Sequence, residues 1–293
     1  MLPSVATTPL ADLPAPLRTK TDEVTHALRE AAGASGKLGI AYSGGVDSAT
    51  LAALAGNALG PHKTVLLLAV SPSLARRERR LARAQAETLG LPLIELTTHE
   101  LDNPQYAANP VDRCYHCKDE LFTRIDEGEV ERLGLAAVAY GENADDARRP
   151  DRPGGRAARE HGVLFPLATA GLTKRDVRAV ARAFGLASAE KPAAPCLASR
   201  IPHGEEVTAK KLEQVDAAED VVLEAGFTDC RVRHHGDVAR IEVPADELGR
   251  LADAELRRVI VDGVRAAGFA HVALDLDGIR SGAFTLQLLE RPQ

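Results

Sequence analysis

The sequence predicts an α/β protein, in which a doubly wound parallel sheet is followed by a smaller C-terminal α+β domain. Between residues 37 and 184, short apolar runs alternate with helical stretches, which is typical of a parallel sheet with helices on both faces. Three prolines within residues 191–204 mark a change of pattern, and short paired strands follow. We therefore predict a flexible lead-in at 1–17, a main domain at 18–202 and a smaller substrate or oligomerisation domain at 203–293.

The main domain is predicted to alternate strands with helices. Apolar runs predict the strands, at residues 38–42, 64–70, 93–96 and 136–140. Helices are predicted from a glycine loop to residue 59, from an N-cap at Ser73 to residue 89, from after Cys114 to residue 133, and at 174–184. The polar segment 143–162, rich in Gly, Pro and Arg, is predicted to be a loop.

The smaller domain is predicted to combine a long helix with a strand hairpin. An amphipathic helix is expected at 208–225, and strands at 228–233 and 238–243 are joined by a turn at 236–237. Helical stretches and a last strand at 271–276 follow.

The composition indicates a globular protein of the cytoplasm. The 293 residues are 45% hydrophobic and 27% charged, and the net charge of −6 argues against a nucleic-acid partner. No apolar run approaches the ~18 residues of a membrane helix, and the N-terminus lacks the pattern of a signal peptide. Disulfides are rare in the cytoplasm, so the four cysteines are interpreted as metal ligands, nucleophiles or core residues.

The strongest local motif is the loop AYSGGVDS at residues 41–48, which follows the first strand and opens a helix. Glycines let a backbone approach an anion closely, and amides at a helix N-terminus donate hydrogen bonds to phosphate. The predicted ATP-binding residues are Ala41, Ser43, Gly44, Gly45, Val46, Asp47 and Ser48. Asp47 is also the candidate for holding Mg²⁺ and is predicted to be catalytic. The alternative is a glycine turn capped by Ser or Asp.

A second polar motif, YGENADD, follows the fourth predicted strand at residues 140–146. In parallel sheets, ligands bind at the carboxyl ends of the strands. Gly141 allows a close approach to a nucleotide there, and the acidic pair of the motif suits Mg²⁺ and its waters. Lys174, at the predicted start of a helix, is a candidate for reaching pyrophosphate. Taken alone, these residues also fit a solvated acidic turn and a surface lysine.

Three cysteines suggest a metal or sulfur site. Cys114 and Cys117 form a C-x-x-C unit just before a predicted helix, and Cys196 follows in a proline-rich segment. Three thiolates can hold an Fe–S cluster with one open iron, whereas Zn²⁺ would need His116, which is poorly placed between the two cysteines. A redox pair and, for Cys196, a buried thiol remain alternatives. Cys230 lies in an apolar strand pattern and is predicted to be a core residue.

Arginines on one predicted strand suggest an anion site. Side chains alternate along a strand, so Arg231, Arg233 and His235 share one face. Paired guanidinium groups suit a phosphate or a carboxylate, and Ser199 and Arg200 are candidates for joining them. The alternative is a charged strand face exposed to solvent.

Together, these motifs resemble the PP-loop ATP pyrophosphatases and, among them, the LarE family of ATP-dependent sulfur transferases. The resemblance extends over SGGVDS, GENADD, PLATAGLTK, KPAAPCLASRIPHGEEVT and RVRHHGDVARIEV to DLDGIRSG. It implies a PP-loop (HUP-like) fold and a step of nickel-pincer cofactor biosynthesis. ATP would adenylylate a carboxylate of pyridinium biscarboxylic acid mononucleotide, a small phosphorylated substrate, and sulfur would displace AMP to leave a thiocarboxylate.

The resemblance also implies cofactors and residue roles. ATP, Mg²⁺ and a [4Fe-4S] cluster are the implied cofactors, and a homo-oligomer is expected. The residues implied to line the substrate phosphate and metal site are Ser199, Arg200, Glu219, Arg231 and Arg233. One type of the family sacrifices the sulfur of a cysteine at the Cys196 position. The other binds a [4Fe-4S] cluster through three cysteines, and Cys114 and Cys117 place this chain with that type. The C-terminal GIRSGAFTLQ departs from the family pattern.

Three rival functions stay open from the sequence. A tRNA thiolase also combines a PP-loop with three cluster cysteines, but it should carry a basic RNA-binding face. An amide-forming synthetase of the NAD synthetase type has no need of the cysteines. A nucleotide-binding regulatory protein would bind ATP without turnover.

Overall fold

A computed structural model of the chain describes residues 10–148 and 153–279. Its strands are β1 (Lys37–Ala41), β2 (Thr64–Val70), β3 (Leu93–Thr97), β4 (Leu135–Tyr140), β5 (Arg231–His235), β6 (Val238–Glu242) and β7 (His271–Leu274). Its α-helices are α1 (Ala15–Ala32), α2 (Val46–Leu59), α3 (Arg76–Leu89), α4 (Pro104–Ala107), α5 (Arg113–Arg124), α6 (Val130–Leu133), α7 (Ala144–Ala147), α8 (Pro153–Glu160), α9 (Pro166–Thr169), α10 (Lys174–Ala183), α11 (Ala209–Glu224) and α12 (Ala254–Ala266). A π-helical turn, Ile125–Glu129, joins α5 to α6, and short 3₁₀ turns include Leu197–Arg200.

The chain divides into two compact units, each assembled from segments that are distant in sequence. The first contains the described residues up to Ser71, together with Glu78–His99 and Cys114–Ala194. The second contains Pro72–Arg77, Glu100–Arg113 and the described residues from Pro195 onward. The predicted domain boundaries remain a prediction.

The first unit is built on a four-stranded parallel sheet of order β3-β2-β1-β4. β1 pairs with β2 from Leu38↔Thr64 to Ala41↔Leu67, and on its other side Ala41 is opposite Tyr140 of β4. Strands of such a sheet are buried on both faces, which explains the near-continuous apolar runs in the sequence. The sheet confirms the predicted α/β class and brings the carboxyl ends of β1 and β4 side by side.

The helix that follows β1 is held firmly in the first unit. Nine of its residues are buried, from Val46 to Ala55, so α2 is apolar on nearly every side. It contacts α1 and α10 as well as β1 and β2. The start of α2, where the AYSGGVDS loop ends, is therefore a fixed point of the unit.

Two predicted features of the chain are wrong. Ser73 does not cap α3, which begins at Arg76; the buried Ser73 hydroxyl instead lies 2.6 Å from the Tyr106 hydroxyl. The segment 143–162 is not a continuous loop, because it contains α7 and α8. Asn143 caps α7, and α8 buries Ala157 and Ala158.

The second unit contains a three-stranded sheet of order β5-β6-β7. β5 and β6 are antiparallel, with His235 opposite Val238, and β7 runs parallel to β6. α11 contacts β5 and α12. The two helices approach closely, since a Cβ at Gly263 would lie 2.6 Å from a methyl group of Val221. The predicted hairpin and long helix are confirmed here.

Candidate nucleotide and substrate sites

Serines and glycines shape the loop between β1 and α2. Ser48 Oγ donates to the Gly45 carbonyl at 3.1 Å and accepts from the Ser43 amide at 3.2 Å. Gly44 has a φ of 73°, and a Cβ there would lie 2.9 Å from Ala82 Cβ. Gly45 is the N-cap of α2, and within the described part of the chain no side chain caps this helix. Its first-turn amides are therefore the groups that a phosphate would bind.

Asp47, in the first turn of α2, is held by residues from two other segments. Lys174, the first residue of α10, places its Nζ 2.5 Å from Asp47 Oδ2. Asn143 Nδ2 donates to Asp47 Oδ1 at 3.0 Å. The Lys174 backbone amide also donates to Asp145 Oδ2 at 2.8 Å. The structure thus brings SGGVDS, GENADD and Lys174 together.

Gly141 packs directly against the start of α2. A Cβ at this position would lie 2.8 Å from both the amide nitrogen and the Cα of Ser48, and 2.9 Å from the carbonyl carbon of Asp47. Real Cβ atoms do not approach backbone so closely. Glycine is therefore required here by the loop itself, in addition to any nucleotide that binds nearby.

In the second unit, a buried ion pair joins Arg200 to Glu219. Arg200 Nε and Nη2 donate to the two carboxylate oxygens of Glu219 at 2.7 and 3.0 Å. Glu219 Oε1 also accepts from the Val232 amide at 3.0 Å. Both charged side chains are almost fully buried, so each needs the other to offset its lost hydration. The pair fixes the Leu197–Arg200 turn against the start of β5.

A second charge network lies on one face of β5 and β6. Arg233 binds Glu242 through two hydrogen bonds, of 3.0 and 2.8 Å, and its Nη1 donates to the Ser199 carbonyl at 3.0 Å. Arg240, directly opposite Arg233, lies 3.1 Å from Glu242 Oε1 and also pairs with Asp275. Arg233 is 6% exposed and Glu242 1%, so the interpretation of this face as a solvent-exposed charged surface is wrong.

All five residues implied to bind the substrate belong to the second unit. They are Ser199, Arg200, Glu219, Arg231 and Arg233. Arg231 is buried and donates to Asp229 Oδ1 at 2.5 Å, whereas His235, on the same strand, is exposed. The guanidinium groups are thus held in place by neighbouring carboxylates.

The C-x-x-C unit does not lie just before a helix, as predicted, but within one. Cys114 and Cys117 lie inside α5, one turn apart and on the same face, with Cys114 exposed and Cys117 half-buried. The half-buried Cys196 is the N-cap of the Leu197–Arg200 turn. The first two cysteines belong to the first unit and Cys196 to the second. Within either unit, the described residues contain no group of three or more His, Cys, Asp or Glu placed to hold a metal ion. The three-cysteine site stays a prediction.

Cys230 differs from the other cysteines. Its side chain is 2% exposed, and burial raises the pKa of its thiol well above the ordinary value. A thiol that stays protonated is a poor nucleophile and metal ligand. Cys230 is therefore a core residue, as predicted.

Comparison with known proteins identifies the family. A family model described as asparagine synthase matches residues 21–136. The chain is 33% identical over 268 residues to pyridinium-3,5-bisthiocarboxylic acid mononucleotide synthase of Lactiplantibacillus plantarum, a match that covers 92% of this chain and 94% of that protein. The chain belongs to the LarE family. As a LarE-family protein, it is an ATP-dependent sulfur transferase of the PP-loop type.

Two further relatives are similar along most of the chain. An uncharacterized protein of Synechocystis is 42% identical over 243 residues, which is 83% of this chain and 90% of that protein. An uncharacterized protein of Methanocaldococcus jannaschii is 27% identical over 247 residues, with coverage of 84% and 91%. Among the described residues of this LarE-family chain, no helix is both long enough and apolar enough to span a membrane.

Three residues of these sites were not singled out from the sequence. Asn143 lies within the YGENADD motif, in which the acidic neighbours alone indicate a function. Glu242 and Arg240 lie on β6, opposite Arg231 and Arg233. A signal for them exists, because the two-residue turn at 236–237 determines which residues face each other across the hairpin.

Proposed function

We propose that this LarE-family chain uses ATP to adenylylate a carboxylate of pyridinium biscarboxylic acid mononucleotide and converts it to a thiocarboxylate. The relative from L. plantarum is named as the synthase of such a bisthiocarboxylic acid mononucleotide. The observation that carries the proposal is the meeting of Asp47, Asn143 and Lys174 beside the N-terminus of α2. An ammonium group, a carboxylate and helix amides together suit a magnesium-bound polyphosphate.

The reaction has two steps. A substrate carboxylate oxygen attacks the α-phosphorus of ATP, the bond from that phosphorus to the bridging oxygen breaks, and pyrophosphate leaves. Hydrosulfide, or its equivalent, then attacks the acyl carbon, and AMP leaves with the former carboxylate oxygen while the sulfur proton goes to solvent. Activation is needed because a carboxylate is a poor electrophile, whereas AMP is a good leaving group.

The residues of the first unit support the adenylylation step. Asp47 supplies hard oxygen ligands of the kind that Mg²⁺ prefers, and the metal would neutralise charge on the phosphates. Lys174 would turn from Asp47 toward pyrophosphate once that carboxylate binds Mg²⁺. The amides at the start of α2 would offset the negative charge that develops on the phosphate oxygens.

The residues of the second unit support substrate binding. We assign the substrate phosphate to Arg231 and Arg233, with Ser199, Arg200 and Glu219 completing the site. The guanidinium groups of Arg200 and Arg233 are already oriented by buried carboxylates, so little side-chain freedom is lost when an anion binds. The phosphorylated substrate explains buried arginines in a protein whose net charge is −6.

For the sulfur source, we propose the three-cysteine type. Cys114 and Cys117 lie on one face of α5, and thiolates one helical turn apart are suitable ligands of a single Fe–S cluster. With Cys196 they would hold a [4Fe-4S] cluster, which when bound supplies sulfide from its open iron. The competing source is the sulfur of Cys196 itself.

Pyrophosphate release tests the proposal. The purified protein, with Mg²⁺ and sulfide, should form pyrophosphate, AMP and the thiocarboxylate in equal amounts when given the pyridinium mononucleotide. Pyrophosphate release with tRNA instead would indicate a thiolase, and release with ammonia an amide-forming synthetase. Binding of ATP without release under any of these conditions would indicate a regulatory protein.

A variant connects that activity to the site. Asp47→Ala should lower pyrophosphate release by about 100-fold or more. The phosphates of ATP would then lose the Mg²⁺ that Asp47 is proposed to hold, and with it the neutralisation of their charge. Asp22→Ala, at an exposed position of α1, is the matched control and should be fully active. A folded Asp47→Ala protein with near-normal release would contradict the assignment.

A further inference from the structure

We propose that Asn143 is a positioning residue of the ATP site, and that its amide NH₂ group holds Asp47 in the orientation that Mg²⁺·ATP binding requires. The inference rests on the proposed function, since it concerns the same ATP site. It assigns a role to a residue for which the proposed function gives no step of its own.

All the hydrogen-bonding groups of the Asn143 side chain are engaged. The residue is fully buried, at 0% exposure. Its Oδ1 accepts from the backbone amides of Asp145 and Asp146, each at 3.0 Å. Its Nδ2 donates to Asp47 Oδ1 at 3.0 Å and to Asp146 Oδ2 at 2.9 Å. An Asn side chain offers two donors and two acceptor lone pairs, so this set uses all of them.

The backbone determines which way this amide faces. Two N–H groups at the start of α7 can only donate, so the side-chain oxygen of Asn143 must face them. The NH₂ group is then forced toward Asp47 and Asp146. The amides at the start of α7 thus determine that the NH₂ group of Asn143 faces Asp47, which lies almost a hundred positions earlier in the chain.

The donor is needed because two carboxylates approach the same small volume. Asp47 and Asp146 each direct an oxygen at Asn143 Nδ2, and without a donor between them these negative charges would repel each other. The other oxygen of Asp47 faces Lys174. Asn143 and Lys174 therefore fix the carboxylate from both sides, and Asn143 keeps that orientation when the lysine turns toward phosphate.

One substitution separates this role from helix capping. Asn143→Asp is nearly isosteric, and its carboxylate can still accept from the Asp145 and Asp146 amides, since Asp is as good an N-cap as Asn. It has no NH₂ group and adds a third negative charge to those of Asp47 and Asp146. The matched control is Asn103→Asp, because Asn103 caps α4 by accepting from the Gln105 amide at 2.9 Å.

The experiment combines two measurements on the full chain. Calorimetric titration gives ATP affinity with and without Mg²⁺, and hydrogen exchange reports protection of the amides in segment 143–148. For Asn143→Asp we expect unchanged protection and a Mg²⁺·ATP affinity about 10- to 100-fold weaker, the usual effect of losing a group that orients a metal-binding residue. ATP affinity without Mg²⁺ should change much less, and Asn103→Asp should match the wild type throughout.

Each other outcome has a definite meaning. Wild-type affinity for Mg²⁺·ATP in Asn143→Asp would overturn the positioning role. Loss of amide protection together with affinity would also overturn it, since the residue would then act only by holding α7. Failure of the wild-type protein to bind Mg²⁺·ATP at all would instead overturn the proposed function.

Discussion

In the second unit, charged side chains hold one another in place, because burial leaves each of them dependent on its partners. Glu242 accepts hydrogen bonds from Arg233 and lies 3.1 Å from Arg240 Nη1, while Arg240 also pairs with Asp275. Buried ions are stable only when they are paired and hydrogen-bonded. Each side chain in this network is thus oriented by the others before any substrate arrives.

We predict that Glu242→Gln destabilises the protein by about 3–5 kcal/mol, because a neutral amide would face the buried guanidinium group of Arg233 and the half-buried one of Arg240. Urea unfolding at pH 7 measures the change in the free energy of unfolding. Glu213→Gln, at an exposed position of α11, is the control and should stay within about 0.5 kcal/mol of the wild type. A loss below about 1 kcal/mol for Glu242→Gln would show that other groups hold the arginines.

Only part of this charge network can be predicted from the sequence. Strand alternation places Arg231 and Arg233 on one face, and the two-residue turn adds Glu242 opposite Arg231. No comparable rule predicts that Arg200 bonds to Glu219. These two residues lie 19 positions apart on different elements, so their pairing depends on how the turn and α11 pack.

At the scale of secondary structure elements, the ATP loop depends on how closely the end of β4 approaches α2. We predict that Gly141→Ala lowers the free energy of unfolding by about 1–3 kcal/mol and weakens ATP binding, because the new methyl group would overlap the Ser48 backbone. Thermal unfolding and calorimetric titration measure the two effects.

Gly128→Ala is the matched control for this prediction. Apart from its chain neighbours and the backbone of its own helical turn, no atom of the described residues lies within 4 Å of a Cβ built at Gly128. Alanine there should be neutral or should stabilise the protein by up to about 1 kcal/mol. Equal effects of the two substitutions would show that the contact between Gly141 and α2 is not the cause of the change in stability and ATP binding.

His161 links α5 to the segment that follows α8. Its Nδ1 lies 2.7 Å from Asp126 Oδ2, and its Nε2 lies 3.0 Å from Asp119 Oδ1. Burial lowers the pKa of His161, but hydrogen bonds to Asp126 and Asp119 outweigh it, so the pKa is raised above the ordinary 6.5. The protonated ring donates to both carboxylates, which a neutral ring cannot do.

The raised pKa predicts how stability depends on pH. Because the folded state binds this proton more tightly than the unfolded state, the stabilisation is fully present below about pH 6.5 and is lost as the pH rises through the folded pKa. In the wild type, this loss should contribute to a decrease in the free energy of unfolding between pH 6 and pH 8.5, as measured by urea unfolding. In His161→Gln, that contribution should be absent. The exposed His62→Gln serves as the control. An unchanged pH dependence in His161→Gln would contradict the prediction.

Strands with a continuous apolar run are easier to predict from the sequence than a short helix within a polar segment. The strand predicted at 64–70 is found as Thr64–Val70, because a buried parallel strand needs an unbroken apolar run. α8 was not predicted, since its sequence PGGRAARE contains two glycines and few apolar residues. α8 forms where Gly155, Ala157 and Ala158 are buried against the rest of its unit. The helix propensities of individual residues contain no information about such packing.

At the scale of the whole molecule, the two candidate sources of sulfur differ in which compact units would have to supply cysteines. Cys114 and Cys117 belong to one unit and Cys196 to the other, so a shared cluster would require both. A sacrificial Cys196 would require only the second unit to supply sulfur. The part of the departing motif GIRSGAFTLQ that runs from residue 280 lies outside the described residues.

The two sulfur sources predict different behaviour of the same variants. With a reconstituted cluster and excess sulfide, the wild-type protein should form several thiocarboxylates per chain, and mass spectrometry should find Cys196 unchanged.

Cys114→Ala and Cys117→Ala should then lose turnover, because a cluster held by three thiolates does not survive with two. Cys230→Ala is the control, since burial raises the pKa of this thiol and a protonated thiol is a poor cluster ligand and nucleophile. A sacrificial enzyme would instead stop after one sulfur per chain, lose the mass of H₂S at Cys196 and tolerate Cys114→Ala. Full activity of Cys114→Ala would therefore exclude the cluster as the sulfur source.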